Sequence, residues 1–279
     1  MRSQYTKSPQ PGGISATHRN LLARLHRVRS GPFTVSEAAN AMGLDSRRAA
    51  NLLAYWAARG WLSRVRRGLY ITVPLAAKNP SSQREDPWIV AMSLYAPGYI
   101  GGWSACEHWG FTEQIFTDVV MYTTRHVRTR KQHVQDTSFL LRVVPKGKMW
   151  GTAPVWRSQT KVLVSDPART LADILDEPRV GGGMRQVAEV VHSYFTSEHR
   201  DDLRLLEYVR RLGNRTICKR LGFMVETLGI EAPVIGTYCR SHISAGYSKL
   251  DPTVTARGRL TRRWNLDVNV HLGTRLEAP

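Results

Sequence analysis

The chain has 279 residues; 40 are Lys or Arg and 22 are Asp or Glu, a formal net charge of +18 with His neutral. That length suits one small and one larger domain, and a hydrophobic fraction of 42% is enough to give each a core. No run approaches the ~18 apolar residues that a membrane helix needs, and so large a basic excess fits a nucleic-acid partner better than an acidic small substrate.

Residues 1–15 contain Pro9, Pro11, Gly12 and Gly13 but no apolar block. They read as a flexible basic tail and not as a secretory leader, so the chain is expected to stay in the cytoplasm. Residues 16–75 read as a winged helix-turn-helix. Leu21, Leu22, Leu25 and Val28 recur at helical spacing and mark a first helix over 17–29. A second helix follows, capped by Thr34 or Ser36, and it ends at Gly43, which supplies the positive φ of a sharp turn. Asp45 stands where a third helix needs its N-cap oxygen, and Gly60 stops that helix. Ala49, Leu53, Trp56 and Ala57 fall at spacings of three and four and form its buried face. Ser46, Arg47, Arg48, Asn51 and Tyr55 lie on the other side. Residues 61–71 then read as a β-hairpin with Arg64, Arg66 and Arg67 toward its tip.

Helix, turn, helix and basic wing in that order make a shape suited to a DNA groove. Arginine pairs bidentately with guanine and asparagine with adenine, so Arg47, Arg48 and Asn51 are expected to read bases. Tyr55 and Ser46 are expected to position the helix, and Arg64, Arg66 and Arg67 to touch phosphates or a narrow minor groove. Charge is concentrated accordingly. Residues 1–80 hold 13 Lys and Arg against 2 Asp and Glu, a net of +11.

Pro, Asn and Ser across 76–86 read as a linker. Residues 87–279 read as an α+β domain, a larger mixed α/β body behind the winged helix. Helices are expected over 87–95 and 104–109, and β-rich runs over 119–123, 138–144 and 161–164. Asp166 caps a helix that Pro167 opens and that runs to position 175. Further helices are expected over 184–195, 202–212 and 217–228, with a closing strand over 263–269.

The body offers few catalytic patterns. No Asp or Glu is followed two positions later by Lys, as a restriction-type nuclease would need, and no Asp-x-Asp pair, Walker loop or His-Glu-x-x-His occurs. Asp173 reads as a structural ion-pair partner of Arg169 one helical turn before it. His126 and His133 have no third ligand spaced to help them hold a metal. Cys106, Cys218 and Cys239 show no metal spacing and read as reduced thiols. No catalytic residue, metal or cofactor is therefore expected. A second basic patch is offered by Arg125, Arg128, Arg130 and Lys131. Two other classes share a winged helix with a body. A ligand-sensing transcription factor needs a deep apolar pocket, and a nuclease-like enzyme needs a carboxylate cluster that this chain does not assemble.

Five motifs taken together resemble a known family. The winged helix closes on Gly60-Trp-Leu and Arg67-Gly-Leu-Tyr70. Then come residues 99–110, Val164-Ser-Asp-Pro-Ala-Arg-Thr-Leu-Ala-Asp173, residues 220–229, and Arg263-Trp-Asn-Leu266. The series looks like the AbiEi-type antitoxins of type IV toxin–antitoxin systems and their mycobacterial relatives, over about residues 17 to 270. Ala168 stands where that family often has Glu, and Cys106 where Leu is usual. The resemblance implies a non-enzymatic protein with two jobs. The winged helix would bind inverted repeats in double-stranded DNA at its own promoter, dimeric on that operator, and repress it. The body would counter a co-expressed nucleotidyltransferase-like toxin.

Overall fold

The computed structural model describes residues 15–28, 31–73 and 84–272. Of the tail expected over 1–15 only Ser15 falls within them, and of the linker expected over 76–86 only residues 84–86. Ser15 stands just before the first helix, where its hydroxyl accepts the His18 amide at 3.3 Å. Within 84–86, Arg84 pairs with Asp136 at 2.7 Å, and Asp86 accepts the Trp88 amide at 2.7 Å. The chain forms two compact units. One takes the described residues up to Leu94 together with His133–Thr137 and Trp156–Lys161; the other takes the rest.

The first unit opens with α1 (Ala16–Val28), β1 (Phe33–Thr34), α2 (Val35–Met42), α3 (Ser46–Ala58), β2 (Leu62–Arg66) and β3 (Leu69–Thr72). Its small sheet has the order β1-β3-β2, antiparallel throughout. Leu22, Leu25, Phe33, Met42, Leu53 and Trp56 meet in its core. Val28 does not join them. It sits in the last turn of α1 and is 58% exposed. Ala57 is only half-buried, so the inner face of α3 is narrower than its spacing suggests. The helix α4 (Pro87–Tyr95) follows, and the Arg157 guanidinium lies 4.2 Å from the centroid of its Trp88 ring.

The elements that follow are mixed. They comprise β4 (Gly98–Ile100), α5 (Gly102–His108), β5 (Asp118–Thr123), β6 (Lys131–Val134), β7 (Thr137–Val143), β8 (Thr152–Arg157) and β9 (Thr160–Ser165). Helices α6 (Pro167–Asp176), α7 (Met184–Thr196), α8 (Asp202–Leu212), α9 (Arg215–Thr227) and α10 (Pro233–His242) come next, then the short strands β10 (Ser248–Lys249), β11 (Arg259–Thr261) and β12 (Leu266–Val268). The six-stranded sheet has the order β6-β7-β5-β4-β9-β8. β4 runs antiparallel to β5 and parallel to β9, and β5 runs parallel to β7. A separate three-stranded sheet has the order β10-β12-β11. The α+β reading therefore holds, with α10, β4, β6, β8, β10 and β11 added to what the sequence pattern showed. The closing strand is shorter than 263–269, because Trp264 turns into the core before β12 begins.

Helix α6 is the centre of this body, with every residue from Ala168 to Leu175 buried. Asp166 accepts the Arg169 amide at 2.8 Å, and Pro167 takes the first helical position. Arg169 then donates to Asp173 at 2.7 Å, with both side chains almost fully buried. Tyr99 donates its hydroxyl proton to the other oxygen of Asp173 at 2.9 Å. The Arg169 guanidinium also stacks 3.8 Å from the centroid of the Trp150 ring. This network is a structural hub: nearly every polar atom in it is used.

Candidate nucleic-acid interface

Local chemistry sets the angle between α2 and α3. Of the two candidate caps Thr34 is the one used. Its hydroxyl accepts the Glu37 amide at 3.3 Å, while the Glu37 carboxylate accepts the Thr34 amide at 2.8 Å. That reciprocal pair is a capping box. Gly43 ends α2 at φ +69° with open space around it, the left-handed conformation that glycine adopts without steric cost. Asp45 restarts the chain by accepting the Arg48 amide at 2.9 Å. At the far end Arg59 caps α3, and Gly60 follows it at φ +78°.

The packing of α3 decides what faces outward. Ala49, Leu53 and Trp56 are buried. Ser46, Arg47, Arg48, Asn51 and Tyr55 are all exposed. They are not equivalent. Arg47, Asn51, Ala54 and Ala58 follow the i, i+4, i+7, i+11 spacing of one helical face. Arg47 and Asn51 make no hydrogen bond or ion pair with the described residues. Arg48 lies to the flank, 3.6 Å from the Asp45 carboxylate. Tyr55 lies on that flank too. Its ring meets His18 edge-on at 6.0 Å and Trp61 at 6.4 Å, and Arg59 covers it at 4.7 Å. Ala54 and Ala58 escaped the sequence reading, which looked for hydrogen-bonding side chains. Their spacing from Arg47 is the signal that finds them.

The wing depends on a bulge. In an unbroken strand Leu62, Arg64 and Arg66 would share one face. Instead Arg64 pairs with Tyr70 and Arg66 with Leu69, leaving Val65 as the extra residue. The alternation breaks there. Leu62 and Val65 are both buried, and Arg64, Arg66 and Arg67 are all exposed. Gly68, at φ +81°, closes the turn beside Arg67. Arg64 lies 5.5 Å from the Tyr70 ring centroid, which fixes its root on the sheet.

The charge of this surface is arginine charge. His26 on α1 adds little to it, because burial lowers the imidazole pKa below its usual 6.5. The second basic patch lies elsewhere, in the second unit. Arg125, Arg128 and Arg130 are exposed on the segment between β5 and β6. Lys131 opens β6 and is held by the Asp118 carboxylate at 2.8 Å, so one of the four cations is already neutralised. His126 and His133 are exposed, and among the described residues no three His, Cys, Asp or Glu side chains group to hold a metal. No described helix is long and apolar enough to cross a membrane.

Residues 16–73 match the family described as a transcriptional regulator, AbiEi antitoxin. That stretch spans α1 through β3, the whole of the winged helix. Among solved structures, the RV2827C protein from Mycobacterium tuberculosis superimposes with a TM-score of 0.62 at 15% identity, covering 91% of this chain and 92% of that one. At that identity the likeness is one of fold. No curated protein matches the chain.

Proposed function

We propose that this chain, with an AbiEi antitoxin regulator domain over residues 16–73, is a cytoplasmic DNA-binding autorepressor and antitoxin. It binds inverted repeats at its own promoter as a dimer on the DNA and counters a nucleotidyltransferase-like toxin. One observation carries the DNA reading. Arg47 and Asn51 are exposed on α3 away from its buried Ala49, Leu53 and Trp56, and Arg64, Arg66 and Arg67 are exposed on the wing. Arg47 and Asn51 supply base-edge chemistry. The wing arginines supply phosphate neutralisation, the dominant sequence-independent term in DNA affinity. The antitoxin half of the reading rests on the family match over the winged helix and is given to the body by the motif resemblance between residues 99 and 266.

The experiment pairs two readouts on the full chain. Mobility shifts on a duplex from the chain's own promoter should show a complex that survives excess unrelated duplex. Co-expression with the neighbouring toxin gene should restore growth. Equal competition by unrelated duplex overturns the repressor reading, and failure to restore growth overturns the antitoxin reading.

A further inference from the structure

The second unit carries a basic surface that neither the winged helix nor the 125–131 segment accounts for. Between positions 240 and 263 the sequence has six Lys and Arg against one acid, Asp251. That acid does not face solvent. Asp251 is 4% exposed and accepts the Met184 amide at 2.8 Å and the Thr253 amide at 2.8 Å. Arg257, Arg259 and Arg262 are exposed on and around the β11–β12 hairpin and have no partner among the described residues. Arg263 beside them is held by Glu226 at 2.6 Å.

The hairpin is a built frame and not a loose basic arm. The Gly258 amide donates to the Asp267 carboxylate at 2.7 Å. A Cβ at position 258 would fall within 1.9 Å of the Val268 carbonyl oxygen, so the close approach of the two strands needs glycine. The Asn269 side chain donates to the carbonyls of Asp251 at 2.8 Å and Val254 at 3.0 Å. Lys249 donates to the carbonyls of Val254 at 3.0 Å and Thr255 at 2.6 Å. Trp264 and Leu266 are buried beneath. Arginines on a fixed backbone lose less freedom on binding than arginines on a mobile one.

The chemistry selects the ligand. The two acids nearest the hairpin arginines are already engaged, Asp267 by the Gly258 amide and Glu226 by Arg263 and the Trp264 indole, and the free arginine forks match the geometry of phosphate oxygens. Trp264 is the one aromatic of the hairpin, and it is turned inward. The surface therefore lacks the aromatic anchor around which protein interfaces centre and the stacking platform that single strands need. We propose that the β11–β12 hairpin is a second duplex-DNA contact of this protein, binding the phosphate backbone through Arg257, Arg259 and Arg262 without reading sequence. The proposal deepens the DNA-binding reading of the winged helix and rests on it for the choice of probe.

The test measures affinity of the full chain for its promoter duplex and for an unrelated duplex, from about 50 to about 200 mM salt. The triple variant Arg257→Gln, Arg259→Gln, Arg262→Gln should lower the steepness of log K against log salt by about 0.9 for each phosphate that is no longer neutralised. It should weaken both duplexes by the same factor. The corresponding triple Arg→Lys variant should restore the slope. Arg66→Ala with Arg67→Ala serves as the wing control. A slope lowered by the wing variant but not by the hairpin variant overturns this proposal and leaves the winged-helix reading standing; an acidic protein as the occupant of the hairpin would give that result. A slope lowered by the hairpin variant alone supports the hairpin and removes the wing from the interface. If neither lowers it, both fall. Should the triple variant unfold, Arg262→Gln alone, at the exposed tip, must still lower the slope by about 0.9.

Discussion

Replacing Arg47 by Ala should separate DNA binding from stability in opposite directions. Arg47 stands in the first turn of α3, where the partial positive charge of the helix terminus disfavours a cation. Its side chain is exposed and makes no hydrogen bond or ion pair with the described residues. Among the described residues none pairs with that cation. Arg48, one position on, is different: the Asp45 carboxylate that caps the helix lies 3.6 Å away. Arg47→Ala should therefore leave the thermal midpoint unchanged or raise it by the equivalent of about 0.3–1 kcal/mol. Its affinity for the operator should fall by about 1–3 kcal/mol, roughly 5- to 150-fold, as expected when one bidentate pairing to a base is removed. Binding to a scrambled duplex should fall far less. Asn51→Ala should show the same asymmetry between duplexes, with a neutral stability effect. Calorimetric melting and mobility shifts on the two duplexes measure both quantities. Equal losses on the two duplexes would make these residues phosphate contacts and refute direct readout from this face. A clear fall in stability would mean that Arg47 has an internal role.

The second unit supports two further predictions. Gly222→Ala in α9 should destabilise, although alanine is the better helix former by about 1 kcal/mol. Its Cβ would lie 2.1 Å from the buried Trp264 ring, whose indole N–H is tethered to Glu226 at 2.8 Å, so overpacking should outweigh propensity and leave a net loss of about 1–3 kcal/mol; a higher midpoint in urea would show that Trp264 moves freely. Asp173 gives a pH signature. Burial outweighs the Arg169 ion pair and the Tyr99 hydrogen bond and pushes its carboxyl up to about 6, from 3.8 when unfolded. Between those values the folded state binds more protons than the unfolded one, so the contribution of this group grows as pH falls through about 6 and is complete below 3.8. The stability of the wild type relative to Asp173→Asn should therefore rise by up to about 3 kcal/mol from pH 7 to pH 4. A difference that shrinks on acidification would mean that the ion pair wins over burial.

What the sequence made legible in the winged helix follows from local physics. Capping at Thr34 and Asp45, the glycine at 43 and the inner face of α3 each depend on residues within one or two helical turns. The wing bulge does not. It exists because Leu62 and Val65 must both reach the core while Arg64 and Arg66 stay out, a condition set by α3 and β3 and invisible in a strict alternation. Short strands failed for a related reason. β4, β6, β10 and β11 span two to four residues, too few for a period to emerge, and they are strands only because a neighbour supplies their hydrogen bonds; β8 is as long as β5 and β9, but Pro154 interrupts it. Helix α10 was missed although Pro233 opens it as Pro167 opens α6. Only Ile235 and Cys239 are buried along it, which is too sparse a stripe to read.

Charge shows the same limit more sharply. By sequence, residues 81–279 carry 27 Lys and Arg against 20 Asp and Glu, a net of +7 that looks modest beside the +11 of residues 1–80. Folding changes what those acids do. Asp173 and Asp251 are buried among donors, Asp166 caps α6 and holds the Tyr208 hydroxyl at 2.8 Å, and Asp201 caps α8. Asp173 and Asp251 cancel charges in the count while presenting little of their own to solvent. Cations are taken inside as well, at Arg169, Lys219 and Arg220, but Arg257, Arg259 and Arg262 stay exposed. A sum over the sequence treats an internal carboxylate and a surface guanidinium as equal and opposite. A polyanion meets only the surface, so the body that seemed nearly balanced on paper presents, at the β11–β12 hairpin, a third arginine cluster beside those of the wing and the 125–131 segment.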